Sequence, residues 1–381
     1  MTVDEIGLAT PNSASGGPST EGDVRIEVAS QWQLMWWKFK QHKLAMFGGA
    51  LVLLFYLLAA FAEFFAPVHF TTYNDQYVYA PPQMIHLFRD GKLAPHVYGY
   101  KFERDPISYK KTWAIDESVI IPFRFFNRGD PYEFWGLIPS DLHLIGPANA
   151  EDPFYLLGAD KSGRDIFSRI IYSARISLTV GLVGVSISLT VGILVGGISG
   201  LVGGVVDNLI QRLIEILISI PTLPVWLALA AMVPLDWSAL RVYFMITVIL
   251  SLVGWMGLAR VVRSKFLALR EEDFIMAAQL DGVPMGRMIF KHMLPSFLSH
   301  IIASVTLAIP GMILGETALS FLGLGLRPPV VSWGVMLQDT RKVAVIAISP
   351  WLLFPAVTVI IVVLALNFFG DGLRDAADPY Q

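Results

Sequence analysis

Long apolar segments constrain this chain more than any other feature of its sequence. A helix needs about 20 mostly apolar residues to cross the roughly 30 Å hydrocarbon core of a bilayer. Six segments reach approximately that length: Leu44–Ala66, Ile176–Val202, Leu213–Val233, Val242–Leu258, Phe297–Leu322 and Val343–Phe369. Because 54% of the 381 residues are hydrophobic and only 15% are charged, we predict an all-α polytopic membrane protein with six transmembrane helices.

The positions of Lys and Arg predict the orientation, because basic residues near span ends stay in the cytoplasm. The segment between the fourth and fifth spans carries six of them: Arg260, Arg263, Lys265, Arg270, Arg287 and Lys291. Three more, Lys38, Lys40 and Lys43, precede the first span. We therefore expect a multi-pass protein of the bacterial inner membrane with both termini inside. The long loop from Pro67 to Tyr172 lies outside, since long loops cross largely regardless of charge.

This orientation divides the chain into five parts. We predict a cytoplasmic tail, disordered and then basic (1–43), an uncleaved anchor helix (44–66), an external insertion (67–172), a five-helix core (173–370) and a cytoplasmic C-terminal tail (371–381). In the insertion, aromatic residues and the strand-like stretch "SVIIPFRFF" favour a small folded unit. That unit either caps the helices or contacts a partner or solute.

Several function classes find no support in the residues. The chain has no cysteine, which excludes disulfides and thiolate ligands, and its net charge of −3 gives no indication of a nucleic-acid partner. No HExxH or GxxxxGK[ST] motif is present, and in "GADKSGRD" an Arg follows the second Gly. We therefore predict no catalytic residue, no metal site and no cofactor in this chain. A self-contained ion-coupled transporter stays an alternative.

Small residues and prolines mark the apolar segments. The second span carries a small residue at every fourth position: Gly184, Ser188, Gly192, Gly196, Gly200 and Gly204. This spacing predicts a helix face that packs closely on another helix, or one that slides on it. Prolines at 221 and 224 in the third span, 310 in the fifth and 355 in the sixth each remove a backbone donor, which predicts kinks or breaks in these three spans.

Two ionisable residues lie at membrane depth, where a charge is costly unless it is paired or faces water. Glu215 can pair with Arg212 one turn away, whereas Glu316 has no obvious local partner. Glu316 either faces a water-filled pathway or caps a helix start. Together with Pro310, Ser320 and Phe321 it is our candidate for a pathway or gate.

The stretch "EEDFIMAAQLDGVPMGRMIFKHMLP" interrupts the apolar pattern between the fourth and fifth spans. Its acidic start favours a helix N-terminus, Gly282 is suited to end that helix, and Pro284 is suited to the first turn of another. The sequence therefore predicts helix, tight turn, helix. The small pair Ala277–Ala278 would let another surface approach, so the element either lies on lipid headgroups or docks on a partner.

Part of this stretch, "MAAQLDGVPMGRMIFKHMLP", resembles the EAA loop of permease subunits of ABC importers. Three further stretches resemble the dipeptide, oligopeptide and nickel permeases of that family: "LLGADKSGRDIFSRIIYSARISLTVGL", "GETALSFLGLGLRPPVVSWGVMLQD" and "PWLLFPAVTVIIVVLALNFFGDGLRDAADPY". The resemblance implies a type I importer fold, here with an extra N-terminal helix and an external insertion. Met276 stands where the motif has its glutamate, and His292 where the motif has Ile.

The resemblance also implies partners and roles. These are a second, similar permease, one or two cytoplasmic ATPases that carry the ATP and Mg, and an external solute-binding protein. The loop residues implied to couple to the ATPase are Glu272, Asp273, Phe274, Ala277, Ala278, Asp281, Gly282, Arg287, Leu294 and Pro295. Peptides or peptide-like solutes are the expected cargo, and oligosaccharides, opines and nickel complexes stay open as alternatives.

Overall fold

A computed structural model describes residues 31–89, 91–104 and 111–377 of the chain. The helices before the sheet are α1 (Gln31–Gln41), α2 (Lys43–Ala60) and α3 (Ala62–Phe65). The strands are β1 (His86–Arg89), β2 (Lys92–Arg104), β3 (Lys111–Phe134) and β4 (Ile138–Pro147). The later helices are α4 (Ile166–Val202), α5 (Gly204–Ser219), α6 (Thr222–Ala231), α7 (Ala239–Leu269), α8 (Asp273–Leu280), α9 (Met285–Arg287), α10 (Leu298–Phe321), α11 (Trp333–Met336), α12 (Val343–Ile348) and α13 (Phe354–Ala377).

Five helices of the described ranges are long and apolar enough to cross a membrane. A sixth span is counted if α5 and α6 form one, although they are bent by 83° to each other. The bend falls at Pro221, which confirms a break in the third predicted span. By contrast, α10 continues through Pro310, and Pro224 and Pro355 lie in the first turns of α6 and α13. The polytopic helical fold is thus confirmed.

Two helix boundaries differ from the expected ones because hydrogen bonds at a helix end do not follow hydropathy. Helix α4 starts at Ile166 rather than Ile176, since the Asp165 side chain accepts from the N–H groups of Phe167 and Ser168. The last long helix starts at Phe354 and continues to Ala377, through part of the predicted C-terminal tail. The segment from Val343 to Ile348 forms the separate helix α12.

The long helices surround a central pair, α4 and α7. Glycines of α4 contact α7 in the same order along both helices, so these two helices are parallel. Helix α10 is antiparallel to them, because Gly181 meets Ile313 while Gly197 meets Ile289 just before α10. The bundle therefore has two ends. We call the end where α4 begins the sheet end, and the end where α4 and α7 finish the loop end.

The predicted insertion contains one antiparallel sheet with the strand order β1-β2-β3-β4. Strand β3 includes the stretch "SVIIPFRFF", which confirms its strand-like content. Val97, Ile121 and Phe123 are buried against Phe154. The insertion is thus a folded unit that adds β-structure to an otherwise helical protein.

The predicted N-terminal tail is only partly described. Residues 1–30, expected to be disordered, lie outside the described ranges, as do residues 378–381 of the C-terminal tail. The basic part forms α1, whose Met35 and Phe39 are buried against Ala376 and Ala377 of α13. The two ends of the described chain therefore lie together at the loop end.

Candidate functional site

The helix–turn–helix segment begins at the loop end with α8. Its C-terminus is closed by two hydrogen bonds, Gly282 N–H to the Gln279 carbonyl (3.0 Å) and Val283 N–H to the Ala278 carbonyl (3.1 Å). This pair of bonds is the Schellman arrangement, which requires a left-handed residue after the helix. Gly282 has φ +70°, which confirms its role as the stop. The turn is therefore fixed by local chemistry and needs no partner to form.

The second half of the segment is less regular than expected. Pro284 precedes α9, a single turn, which is followed by a π-helical turn (Met288–Met293) and a 3₁₀ turn (Leu294–Phe297). Leu294 is half-buried and Pro295 is exposed in the 3₁₀ turn. The segment then continues into α10, so its second helix is the beginning of the next span.

One face of α8 is buried in the chain's own core. Ile275 is fully buried and Ala278 is 7% exposed, in a cluster with Phe266 of α7 and with Met288 and Met293. The expectation that Ala277 and Ala278 form one docking face is therefore wrong for Ala278. Residues three apart on a helix share a face, so Ala278 follows Ile275 inward and leaves Ala277 exposed.

The opposite face of the segment combines exposed apolar and acidic side chains. Leu280 is 89% exposed, and Phe274, Met276 and Met285 are between 44% and 47% exposed. The exposed charged residues of this face are Glu271, Glu272, Asp273, Asp281 and Arg287. The helix and its turn thus present exposed apolar and charged side chains at the loop end.

A partly buried ion pair, which the sequence analysis missed, lies at the same end of the bundle as this segment. The Arg263 guanidinium of α7 donates two hydrogen bonds to the Asp207 carboxylate of α5, and Ser199 of α4 donates to the same carboxylate. Gln211 donates in turn to the Ser199 hydroxyl at 3.2 Å. Three helices are thereby tied together at the loop end. The pairing of residues 56 positions apart left no local signal in the sequence. Nearby, the predicted pair of Arg212 with Glu215 is confirmed at 2.8 Å.

Glycines bring α4 and α7 into close contact, as the spacing of small residues predicts. A Cβ on Gly196 would overlap the Ala259 carbonyl, and a Cβ on Gly200 would lie 2.7 Å from the Cβ of Phe266. Gly192 lies against the Leu258 side chain. The prediction is wrong for Gly204, because the chain turns at Gly203 (φ +65°) and leaves the helix before that position.

Glu316 is fully buried near the sheet end of α10. Its carboxylate accepts hydrogen bonds from the hydroxyls of Ser332 (2.7 Å), Ser320 (2.8 Å) and Ser177 (3.3 Å). The expectation that Glu316 lacks a local partner is therefore wrong, since Ser320 lies one turn away on the same helix. Of the other gate candidates, Pro310 and Ser320 are buried, and Phe321 is half-buried at the last position of α10.

The turn "GADKSGRD" before α4 is closed by its own carboxylate. Asp160 accepts from the N–H groups of Ser162 (2.8 Å) and Arg164 (3.1 Å) and pairs with the Arg164 side chain at 2.8 Å. Burial raises the pKa of the neighbouring Asp165 to about 6, against the hydrogen bonds from Ser168 and Phe167 that lower it. The N–H groups of Ser162, Gly163 and Arg164 are thus used within the turn. In the described part of the chain, no three His, Asp or Glu side chains are grouped to hold a metal ion.

The sequence matches two family models. Residues 192–380 match the binding-protein-dependent transport system inner membrane component, and residues 30–82 match the N-terminal TM domain of oligopeptide transport permease C. These matches cover the anchor helix and the bundle from Gly192 onward, and they leave out the whole sheet and the first part of α4. They confirm the resemblance to ABC importer permeases.

Curated relatives give the same result. The chain is 43% identical over 243 residues to a dipeptide transport system permease protein of Alkalihalophilus pseudofirmus, covering 63% of this chain and 75% of the relative. It is 40% identical over 241 residues to an oligopeptide transport system permease protein of Haemophilus influenzae, with the same coverage. A putative peptide permease protein of Brucella ovis is 39% identical over 243 residues, 63% of this chain and 78% of the relative. The chain therefore belongs to the family of binding-protein-dependent transport system inner membrane components, the permeases of ABC importers.

Proposed function

We propose that this chain is one permease subunit of an ABC importer for peptides or peptide-like solutes and forms half of its translocation pathway. The printed names of its relatives, dipeptide and oligopeptide permeases among them, support the solute class. ATP and Mg would be bound by partner subunits, since no nucleotide-binding motif occurs in the sequence. A second, similar permease, one or two cytoplasmic ATPases and an external solute-binding protein complete the transporter.

The exposed face of α8 and its turn is the observation that carries the coupling role. A surface that transmits force between subunits has to be rigid, and Ile275 and Ala278 fix α8 to the core from the inside. The outward face then offers Leu280 and Phe274 to an apolar groove, with Glu272, Asp273 and Arg287 at its rim. The segment from Glu271 to Pro295 docks on the ATPase in this proposal.

The docking face lies in the cytoplasm in this proposal, and the sheet lies outside. The concentration of Arg and Lys between residues 260 and 291 supports this orientation. The anchor helix α2 and the sheet are additions to the five-helix core of residues 173–370. An exposed apolar face on α5, which includes Leu209, Leu213 and Ile216, suits contact with the second permease within the membrane.

Leu280→Asp tests the coupling role directly. Leu280 is 89% exposed, so the substitution leaves the core of this chain intact and places a charge where an apolar contact is expected. We expect the variant to insert normally, to retain less ATPase on co-purification, and to lose most uptake of a labelled dipeptide or tripeptide. The matched control is Leu93→Asp, a 71% exposed leucine of the sheet, which should keep its ATPase.

Two results would count against the proposal. Wild-type ATPase retention and uptake in Leu280→Asp would remove the coupling role from α8. Uptake by the wild-type transporter of nickel complexes or oligosaccharides, with no uptake of peptides, would replace the solute class and leave the coupling role in place.

A further inference from the structure

We propose that the tip of the β3–β4 hairpin is a lipid-binding surface that lies in the membrane interface beside the end of α2. The surface, which we call the hairpin patch, consists of five exposed apolar residues: Phe61, Phe126, Trp135, Leu137 and Ile138. Their exposed fractions run from 39% for Phe61 to 78% for Leu137. The partner is the boundary between phospholipid headgroups and acyl chains. This inference is independent of the transported solute.

The outer face of α2 identifies the lipid-facing side. Only 17% of α2 is buried within the chain. Its exposed apolar residues recur at helical spacing along one side, namely Phe47, Leu53, Leu54, Leu57 and, just past the helix end, Phe61. A long, apolar and exposed helix face in a membrane protein is solvated by lipid. Phe61 therefore belongs both to the lipid-facing stripe and to the hairpin patch.

The hairpin is bonded to the last turn of this helix. The indole N–H of Trp135 donates to the Ala60 carbonyl at 3.1 Å. The ring of Phe61 lies 5.8 Å from the Trp135 ring and 6.0 Å from the Phe134 ring, centroid to centroid. Because α2 ends at Ala60, these contacts place the hairpin tip at the edge of the hydrocarbon core.

A second set of contacts holds the hairpin at the same position relative to the end of α2. The ring nitrogens of His143 on β4 lie 2.6 Å from the Ala66 carbonyl oxygen and 3.0 Å from that of Asp130. The Phe126 ring lies 6.3 Å from the Phe64 ring of α3. The hairpin is therefore attached at two levels to the segment that follows α2. These contacts prevent it from moving freely away from that segment.

The turn itself holds its apolar side chains outward. Trp135 has φ +49° and Gly136 has φ +69°, and Leu137 N–H donates to the Phe134 carbonyl at 2.9 Å. A bulky residue rarely adopts a positive φ, so the contacts of Trp135 with α2 maintain an otherwise unfavourable backbone. Ile138 pairs with Phe134 across the strands and shares its face, toward α2.

The chemistry of the patch fits lipid. Trp has an apolar ring and one polar N–H, and it concentrates where headgroups meet acyl chains. Leu137 and Ile138 supply apolar area that can enter the acyl region. The exposed Glu133 precedes Phe134 on the strand, so alternation turns it to the other face, toward headgroups and water. Continuity with the lipid-facing stripe of α2 favours lipid over a protein partner.

Nitroxide labelling tests the proposal, because the chain contains no cysteine of its own and can be labelled at one introduced cysteine before it is assembled with its partners. The assembled transporter is reconstituted in phosphatidylethanolamine–phosphatidylglycerol vesicles with a nitroxide at Leu137→Cys. The matched control is Leu93→Cys, also a highly exposed leucine, at the β1–β2 hairpin. Collisions with oxygen, which partitions into lipid, are compared with collisions with a water-soluble nickel chelate. We expect the oxygen-to-nickel ratio to be several-fold higher at Leu137 than at Leu93.

Two outcomes would overturn the proposal. Equal, water-like ratios at both positions would place the hairpin patch in solvent. A label at Leu137 that becomes protected from both reagents only when the solute-binding protein is added would assign the patch to a protein contact. Trp135→Ala provides a further check, since losing the bond to Ala60 should lower the ratio at Leu137. An unchanged oxygen-to-nickel ratio would show that this bond does not determine how deep the hairpin lies in the interface.

Discussion

Glu316 shows how one buried carboxylate can organise a loop. Each of its three serine partners donates to the carboxylate and accepts from the backbone: Ser177 from Trp333 N–H, Ser320 from Leu326 N–H and Ser332 from Val335 N–H. A carboxylate accepts and cannot donate when ionised, so it fixes the direction of all three hydroxyls. The segment between α10 and α11 is thereby held to α4 and α10 at the sheet end.

Substituting Glu316 separates its acceptor role from its volume. Glu316→Leu should leave three buried hydroxyls without their acceptor, and each unsatisfied group costs about 1–3 kcal/mol. Glu316→Gln keeps one oxygen for Ser320 and Ser332, and its amide can donate to Ser177, so we expect a much smaller loss. Thermal unfolding of the purified permease in detergent measures both variants. Equal midpoints for the two would contradict this role.

Among the helices, α4 and α7 make an extensive and close contact at the centre of the bundle. Glycines 192, 196 and 200 let the two backbones approach on one face, where van der Waals packing replaces the hydrophobic effect as the attraction between helices in lipid. At the loop end of this contact, Phe266 and Ile289 pack against Gly197 and belong to the cluster that buries α8. Movement of α8 is therefore linked to the position of α7 on α4.

Gly196→Leu should open that contact. Its Cβ alone would overlap the Ala259 carbonyl, a backbone atom that can move only with its helix, so α4 and α7 must separate. We expect a lower unfolding midpoint and a loss of uptake with normal membrane insertion. The matched control is Gly257→Leu on α7, where a Cβ would meet no atom within 4 Å. A midpoint for Gly196→Leu as high as that of Gly257→Leu would show that close approach at residue 196 is not required.

Features whose signals are local can be predicted from this sequence. Apolar length located the spans, Gly282 marked the end of α8, and Pro221 marked the break between α5 and α6. The span boundaries were less accurate, because the start of α4 depends on hydrogen bonds from Asp165 rather than on hydropathy. The stripe of small residues was extended too far, to Gly204, because Gly203 ends the helix.

Features that depend on distant pairing were missed for a physical reason. The Asp207–Arg263 pair and the contact of Ser177 with Glu316 join residues 56 and 139 positions apart. Neither leaves a periodic or compositional pattern. The sheet is a similar case, since "SVIIPFRFF" indicated a strand while its partners β2 and β4 are fixed by packing on Phe154 and by the contacts with α2 and α3. The fold class was thus predictable from local pattern, and the connections that position the candidate site were not.

The length of α4 provides the final prediction, which concerns the two ends of the bundle. Its 37 residues span about 55 Å at 1.5 Å per residue, well beyond the roughly 30 Å hydrocarbon core. The sheet precedes α4, and α8 packs beside the far end of α4 and α7, so we predict that the sheet and α8 face opposite compartments. The concentration of basic residues between 260 and 291 predicts that α8 faces the cytoplasm. In cells with a permeabilised outer membrane, an impermeant thiol reagent should therefore modify a cysteine introduced at Leu93. It should modify one at Gln279 only after the inner membrane is lysed. If the inner membrane is intact and only the cysteine at Gln279 is modified, the orientation is the reverse of the predicted one. If the cysteines at Leu93 and Gln279 are both modified in that state, α4 does not cross the membrane.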